Sequence, residues 1–347
     1  MTLPARAATV LAAALLLPLP ARAATLLVGN KAEATVSLID LPSGKVVATL
    51  PTGEGPHELA VSPDGRTALV ADYGTGPRPG RTLTVIDVAA AKVLKTIDLG
   101  APRRPHGLAW LDGRRALVTA EGSGALLVVD VDAGTVLREI ATGQEVSHMV
   151  AVQPGGNRAF VANIGSGTVT AIDLAAGKKL TDVTTGAGAE GIEVSADGRW
   201  VWVTNREAGT VTVVDAATLE VVATVEVPGF PIRSKATPDG KYVLVSAARA
   251  GDVAVLSTAD RKLERRVEFG LRAVVAEGRL LGAFGTSSVP IGIVVDPDGR
   301  HAYVAHANAD KVAVLDLATW KVTATFAAGK EPDGMAFSSL DAEPAKK

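Results

Sequence analysis

The chain of 347 residues contains no cysteine. Disulfides, thiolate metal sites, a lipid on an N-terminal cysteine and covalent attachment of a c-type haem are therefore excluded. Aromatic residues make up only 4% of the sequence, and there are only five histidines. An excess of either charge is missing too, since 35 basic and 37 acidic residues lie interspersed and give a formal net charge of −2. Without a basic block, nucleic acid is not an expected partner. No apolar run reaches the roughly eighteen residues that a membrane-spanning helix needs.

The first residues, MTLPARAATVLAAALLLPLPARA, combine a basic start at Arg6 with a short apolar stretch and a small-residue site at Ala21, Arg22 and Ala23. This pattern reads as a signal peptide over residues 1–23. The expectation is a periplasmic or secreted protein with no membrane insertion after cleavage, the alternative being an uncleaved N-terminal anchor.

What the sequence does have is repetition. The phrases TVSLID, TLTVID, ALLVVD, TVTAID, TVTVVD, DVAVLS and KVAVLD end at Asp40, Asp87, Asp130, Asp173, Asp215, Ser257 and Asp316, with spacings of 47, 43, 43, 42, 42 and 59 residues. Each unit carries four short runs rich in Val, Ile, Leu and Thr, separated by turn residues. Four strands in a period of this length predict an all-β, seven-bladed propeller over residues 24–340, followed by a short tail at 341–347. ATLLVGN begins in mid-repeat and GMAFSS closes one. The run from Gly334 is therefore expected to supply the innermost strand of a blade that the N-terminal strands complete, sealing the ring. The seventh unit is longer by about 17 residues, between Gly270 and Ser288, an excess that predicts a loop or hairpin over one face.

AFVANIGSGTVTAIDLAAGKKL and VWVTNREAGTVTVVDAATLEVVATVEV resemble the YVTN-type β-propeller repeat of bacterial exported and archaeal surface-layer proteins. That resemblance implies the architecture and leaves activity open, because the repeat family includes quinoprotein-associated propellers and structural modules. The repeated tryptophan docking motif of pyrroloquinoline-quinone dehydrogenases is missing, which argues against that cofactor.

Superposing the repeats at the residue before each predicted innermost strand gives Asp333, His57, His106, His148, Glu190, Ile232 and Ile291. Three of the five histidines fall at this one position, between two carboxylates and opposite two isoleucines. Imidazoles with carboxylates suit zinc, copper, nickel or iron better than magnesium or calcium. His57, His106, His148, Glu190 and Asp333 are therefore the candidate metal ligands. The plainer alternative is a turn residue copied with each blade and hydrogen-bonded to backbone.

His306 falls at a second-strand end, aligned with Asn30, Asp72, Glu121, Asn163 and Asn205, where polar residues commonly satisfy loops. Glu193 and Lys235 share one inner-strand position and predict an ion pair, whereas Arg103, Arg104 and Arg233 are candidates for an anionic ligand. No GxSxG nucleophile motif or phosphate-cradling loop is present. The sequence supports a binding module with a transition-metal or metal-ligand site at one channel mouth, taking a small ligand or a periplasmic protein partner. A metal-dependent enzyme and a metal-free interaction propeller remain alternatives.

Overall fold

A computed structural model describes residues 24–101, 103–274, 279 and 282–343. The expected signal peptide at 1–23, part of the 271–288 insertion and tail residues 344–347 lie outside the described residues. The alternation of β-branched runs with tight turns produces seven four-stranded antiparallel sheets, arranged as the blades of a propeller. Blade one pairs the C-terminal strand Pro332–Ser338 with Thr25–Asn30, through partners such as Leu27 with Ala336 and Val28 with Met335. The ring is thus closed by a sheet built from both ends of the chain, as expected.

Innermost strands of blades two to seven are Pro56–Val61, Pro105–Trp110, Ser147–Val152, Ala189–Val194, Pro231–Ala236 and Pro290–Val295. The core lies between facing sheets rather than at the axis. Leu69, Leu83 and Ile97 of blade two pack on Val118 and Leu127 of blade three, and Trp202 is fully buried between blades five and six. Each such side chain contributes about 2 kcal/mol by leaving water. The outermost strands, such as Lys178–Thr184, are largely exposed, so every blade grades from apolar to wet away from the channel.

Aspartates ending the third strands cap the following turns, as when Asp87 Oδ1 accepts from Ala90 N at 2.9 Å and Asp316 Oδ1 from Thr319 N at 2.7 Å. They serve the fold, as turn formers do. On the channel wall, Lys235 Nζ lies 3.0 Å from Glu193 Oε1, which is the expected ion pair.

Candidate metal centre at the channel mouth

All seven blades enter the channel mouth in the same way. The residue before each innermost strand adopts a left-handed backbone: Gly55, Arg104, Val146, Gly188, Phe230, Val289 and Glu331 have φ between 49° and 75°. Its carbonyl accepts the N–H of Tyr73, within the longer second strand Thr67–Gly74 of blade two, and in the other blades that of the residue just past the second strand, namely Glu121, Ile164, Arg206, Ala248, Ala307 and Lys31, at 2.9 to 3.2 Å. Strand pairing then slips at a bulge, for example between Pro56 and Leu59 or between Ser147 and Met149. Bulges re-aim side chains. Here they turn the second residue of each innermost strand into the mouth. The ring residues therefore sit inside the strands, one place further on than the sequence suggested, because pairing resumes at the preceding residue through a partner such as Asp72 opposite Pro56.

Each blade thus presents two residues at the mouth: Asp333 with Lys31, His57 with Tyr73, His106 with Glu121, His148 with Ile164, Glu190 with Arg206, Ile232 with Ala248, and Ile291 with Ala307. Ile232, Ala248, Ile291 and Ala307 form one apolar cluster, which is the expected wall opposite the imidazoles. The three histidines are brought together. Ring centroids of His106 and His148 are 3.6 Å apart, and those of His57 and His106 are 5.0 Å apart.

Their protonation differs because their neighbours differ. Burial, assisted by the Lys31 charge, lowers His57 to about 3, so the ring is neutral. Its Nδ1–H donates to the Gly55 carbonyl at 2.7 Å, which fixes the tautomer and leaves a lone pair on Nε2. His106 is 1% exposed and lowered well below the ordinary histidine value by burial and then by the charge on His148. Its Nδ1 is buried without a hydrogen-bond partner among the described residues. For His148, burial opposes the charge but is overcome by Glu121, which contacts Nδ1, and by Glu190. The His148 Nε2 to Glu190 Oε1 separation is 3.5 Å; that contact is electrostatic, because its geometry falls short of a directed hydrogen bond.

Glu121 also accepts from the Tyr73 hydroxyl at 2.6 Å. Ligand atoms of His106, Glu121 and His148 lie within 4.8 Å of one another, a group that could hold a metal ion. Glu190 and Asp333, the outer members of the predicted arc, line the same mouth and are each also paired with a cation. Despite burial, His148, Arg233 and Arg206 hold Glu190 at about 2, with Arg206 at 2.9 Å and Arg233 at 3.0 Å. Asp333 pairs with Lys31 at 2.7 Å and is likewise held low, while its Oδ1 is buried and without a hydrogen bond among the described residues.

Glu121 lies one residue beyond the strand-end position that sequence spacing predicts for it. Strand register places Ala120, not Glu121, beside Asn30, Asp72, Asn163 and Asn205. The signal was present: aligning Gly122-Ser123-Gly124 with Gly165-Ser166-Gly167 puts Glu121 opposite Ile164. His306 does occupy the strand-end position. Its Nδ1 meets Ser288 Oγ at 2.9 Å and it is fully buried, so it ties down a loop away from the mouth. The arginines expected to receive an anion are otherwise occupied. Arg233 reaches across the channel to Glu58 at 2.7 Å, Arg103 pairs with Glu139, and Arg104 donates to the Gly76 carbonyl.

Arg233 and Glu58 form a floor beneath the ring. Above it lies a cavity of about 330 Å³, lined on one side by Lys31, the histidines and Asp333, and on the other by Ile232, Ile291, Phe230 and Phe284. Phe284, in the described part of the 271–288 insertion, lines the mouth, and Arg279 of the same insertion is tied to blade seven by a bidentate pair with Asp310 at 2.6 and 2.8 Å.

Two family models match successive parts of the chain: the YNCE-like beta-propeller over residues 11–116 and the Cytochrome D1 heme domain over residues 113–237. This chain is a propeller similar to both. His57 and His106 fall in the first match, and His148, Glu190 and Arg206 in the second. Hydrazine synthase from Kuenenia stuttgartiensis superposes with a TM-score of 0.68 at 21% identity, covering 81% of this chain and 89% of that one. A functionally unknown protein from Desulfotomaculum acetoxidans DSM 771 gives 0.74 at 15% identity, covering 91% and 99%. Dihydro-heme d1 dehydrogenase NirN in complex with DHE gives 0.64 at 14% identity, covering 90% and 74%. At these identities the likeness concerns the fold. No curated protein sequence matches the chain.

Proposed function

We propose that this protein is a periplasmic or secreted binding module that holds one transition metal ion, zinc, copper, nickel or iron, at the mouth of its propeller. The observation that supports this best is His106, whose buried Nδ1 has no hydrogen-bond partner among the described residues and whose side chain belongs to the compact His106, Glu121 and His148 group. A buried polar atom without a partner costs about 1 to 3 kcal/mol, and a ligand bond would remove that cost. His57 stands ready as a further nitrogen ligand, while Glu190 and Asp333 bring negative charge to the rim through oxygens partly neutralised by Arg206, Arg233 and Lys31. Because the carboxylates are already paired, a nitrogen-seeking metal is favoured over magnesium or calcium. The location rests on the signal-like residues 1–23.

Protein recovered from the exported fraction is expected to carry about one metal per chain by elemental analysis. His106→Ala should weaken binding on the order of 100-fold, and His301→Ala, which removes a strand-start residue paired with Asp296, should leave it unchanged. Absence of stoichiometric metal, together with a melting temperature indifferent to all four ions, would reject the reading.

A second reading follows from the Cytochrome D1 heme domain match and from the NirN complex with DHE: the metal is iron within a tetrapyrrole. His106 or His57 would supply a nitrogen ligand to the iron, and Phe230, Phe284, Ile232 and Ile291 would cover its apolar surroundings, without covalent attachment. A Soret shift on titration with haem, lost in His106→Ala, would favour this reading over the free ion. Turnover at the same metal, with the Tyr73, Glu121 and His148 chain moving protons, would make the module an enzyme.

A further inference from the structure

The mouth cavity is far larger than an ion requires. Its volume of about 330 Å³ compares with roughly 30 Å³ for one water, and half of its lining has nothing to offer a metal. Phe230 and Phe284 pack edge to face, with centroids 5.3 Å apart. Arg206 and Arg249 hold their guanidinium carbons 5.4 and 5.1 Å from the Phe230 ring, and Arg249 lies 5.8 Å from Phe284. Arg206 is partly committed to Glu190. Arg249 is exposed at the edge of the lining residues, and its guanidinium rests beside these two rings without an ion pair among the described residues. A cation placed beside an aromatic pair, with no carboxylate of its own, suits the anionic group of a flat ligand lying on those rings.

We infer that the cavity takes the metal as a chelate with a small aromatic or heteroaromatic carboxylate, the imidazoles completing the metal's shell while Phe230 and Phe284 cover the ring and Arg249 meets the carboxylate. The inference rests on the metal reading above. Its two halves correspond to the two sides of the cavity: nitrogen ligands on blades two to four, and an apolar, cationic side on blades five to seven.

Equilibrium dialysis with zinc alone, pyridine-2-carboxylate alone and the two together tests it, with both components measured in the protein compartment. The expected result is a complex of one protein, one zinc and one pyridinecarboxylate, with zinc retained at least about tenfold more tightly than without the organic anion. Arg249→Ala and Phe284→Ala should each abolish that gain while leaving zinc-only binding within about twofold. If the site holds a bare ion, pyridine-2-carboxylate will compete in solution and strip the zinc. That result overturns the inference but leaves the metal reading intact. Binding of the organic anion without zinc, or of neither, overturns the inference, and the metal reading falls with it when copper, nickel and iron are likewise not retained.

Discussion

At the scale of single residues, one position in each blade shows how a polar side chain can be structural in one neighbourhood and chemical in the next. Asn30, Asn163 and Asn205 each donate from Nδ2 to two hydroxyls on the adjacent strand, such as Thr168 and Thr170 for Asn163. Blade two has Asp72 there, which accepts from the hydroxyls of Thr82 and Thr84 and from Gly53 N. Burial raises its carboxyl to about 6 from an ordinary 3.8, against the pull of those donors. A carboxyl with a raised folded value stabilises the fold fully below the unfolded value and loses that contribution as pH rises through the folded one. Wild-type stability should therefore fall by about 2 kcal/mol between pH 4 and pH 7 relative to Asp72→Asn. Urea midpoints at several pH values measure the difference, and parallel profiles for the two proteins would contradict it. One residue further along, the same strand ends supply Tyr73, Glu121 and Arg206 to the mouth.

At the scale of elements, the unit that builds the mouth is a left-handed residue, a bulge and an innermost strand. Blades two and five place glycine at the left-handed position, where a Cβ is a steric burden, but blade four places Val146 there with φ of 56°. A β-branched residue is poorly suited to that region. Val146 is 37% exposed, so little packing is lost with its side chain. Val146→Gly is expected to stabilise the protein by about 1 kcal/mol and to raise its melting temperature. A lower melting temperature would show that the valine's remaining contacts outweigh its backbone strain.

For the whole molecule, the governing constraint is closure. Without Pro332–Ser338, the sheet of blade one would expose the unpaired edge of Thr25–Asn30, whose residues are all buried. Blade seven would also lose its neighbour, and the mouth would lose Asp333. Removing residues 331–347 should abolish cooperative folding and give an aggregating product. A soluble, monodisperse truncated chain with a sharp thermal transition would refute this. The ring also explains how residues 302 positions apart become partners, as Lys31 and Asp333 do.

Repeat period, strand content, turn aspartates and the shared blade were legible in the sequence because each depends on local pattern, copied seven times and readable without knowing where any side chain points. The histidine position was legible for the same reason. Only the tertiary structure decided what those histidines meet. Glu121 reaches His148 across a blade boundary, and Arg233 leaves the solvent to span the channel to Glu58, because a bulge and a left-handed turn rotate side chains by amounts that spacing does not encode. Repetition fixed which positions share a ring, and convergence of seven strands on one axis fixed which charges must neutralise one another there.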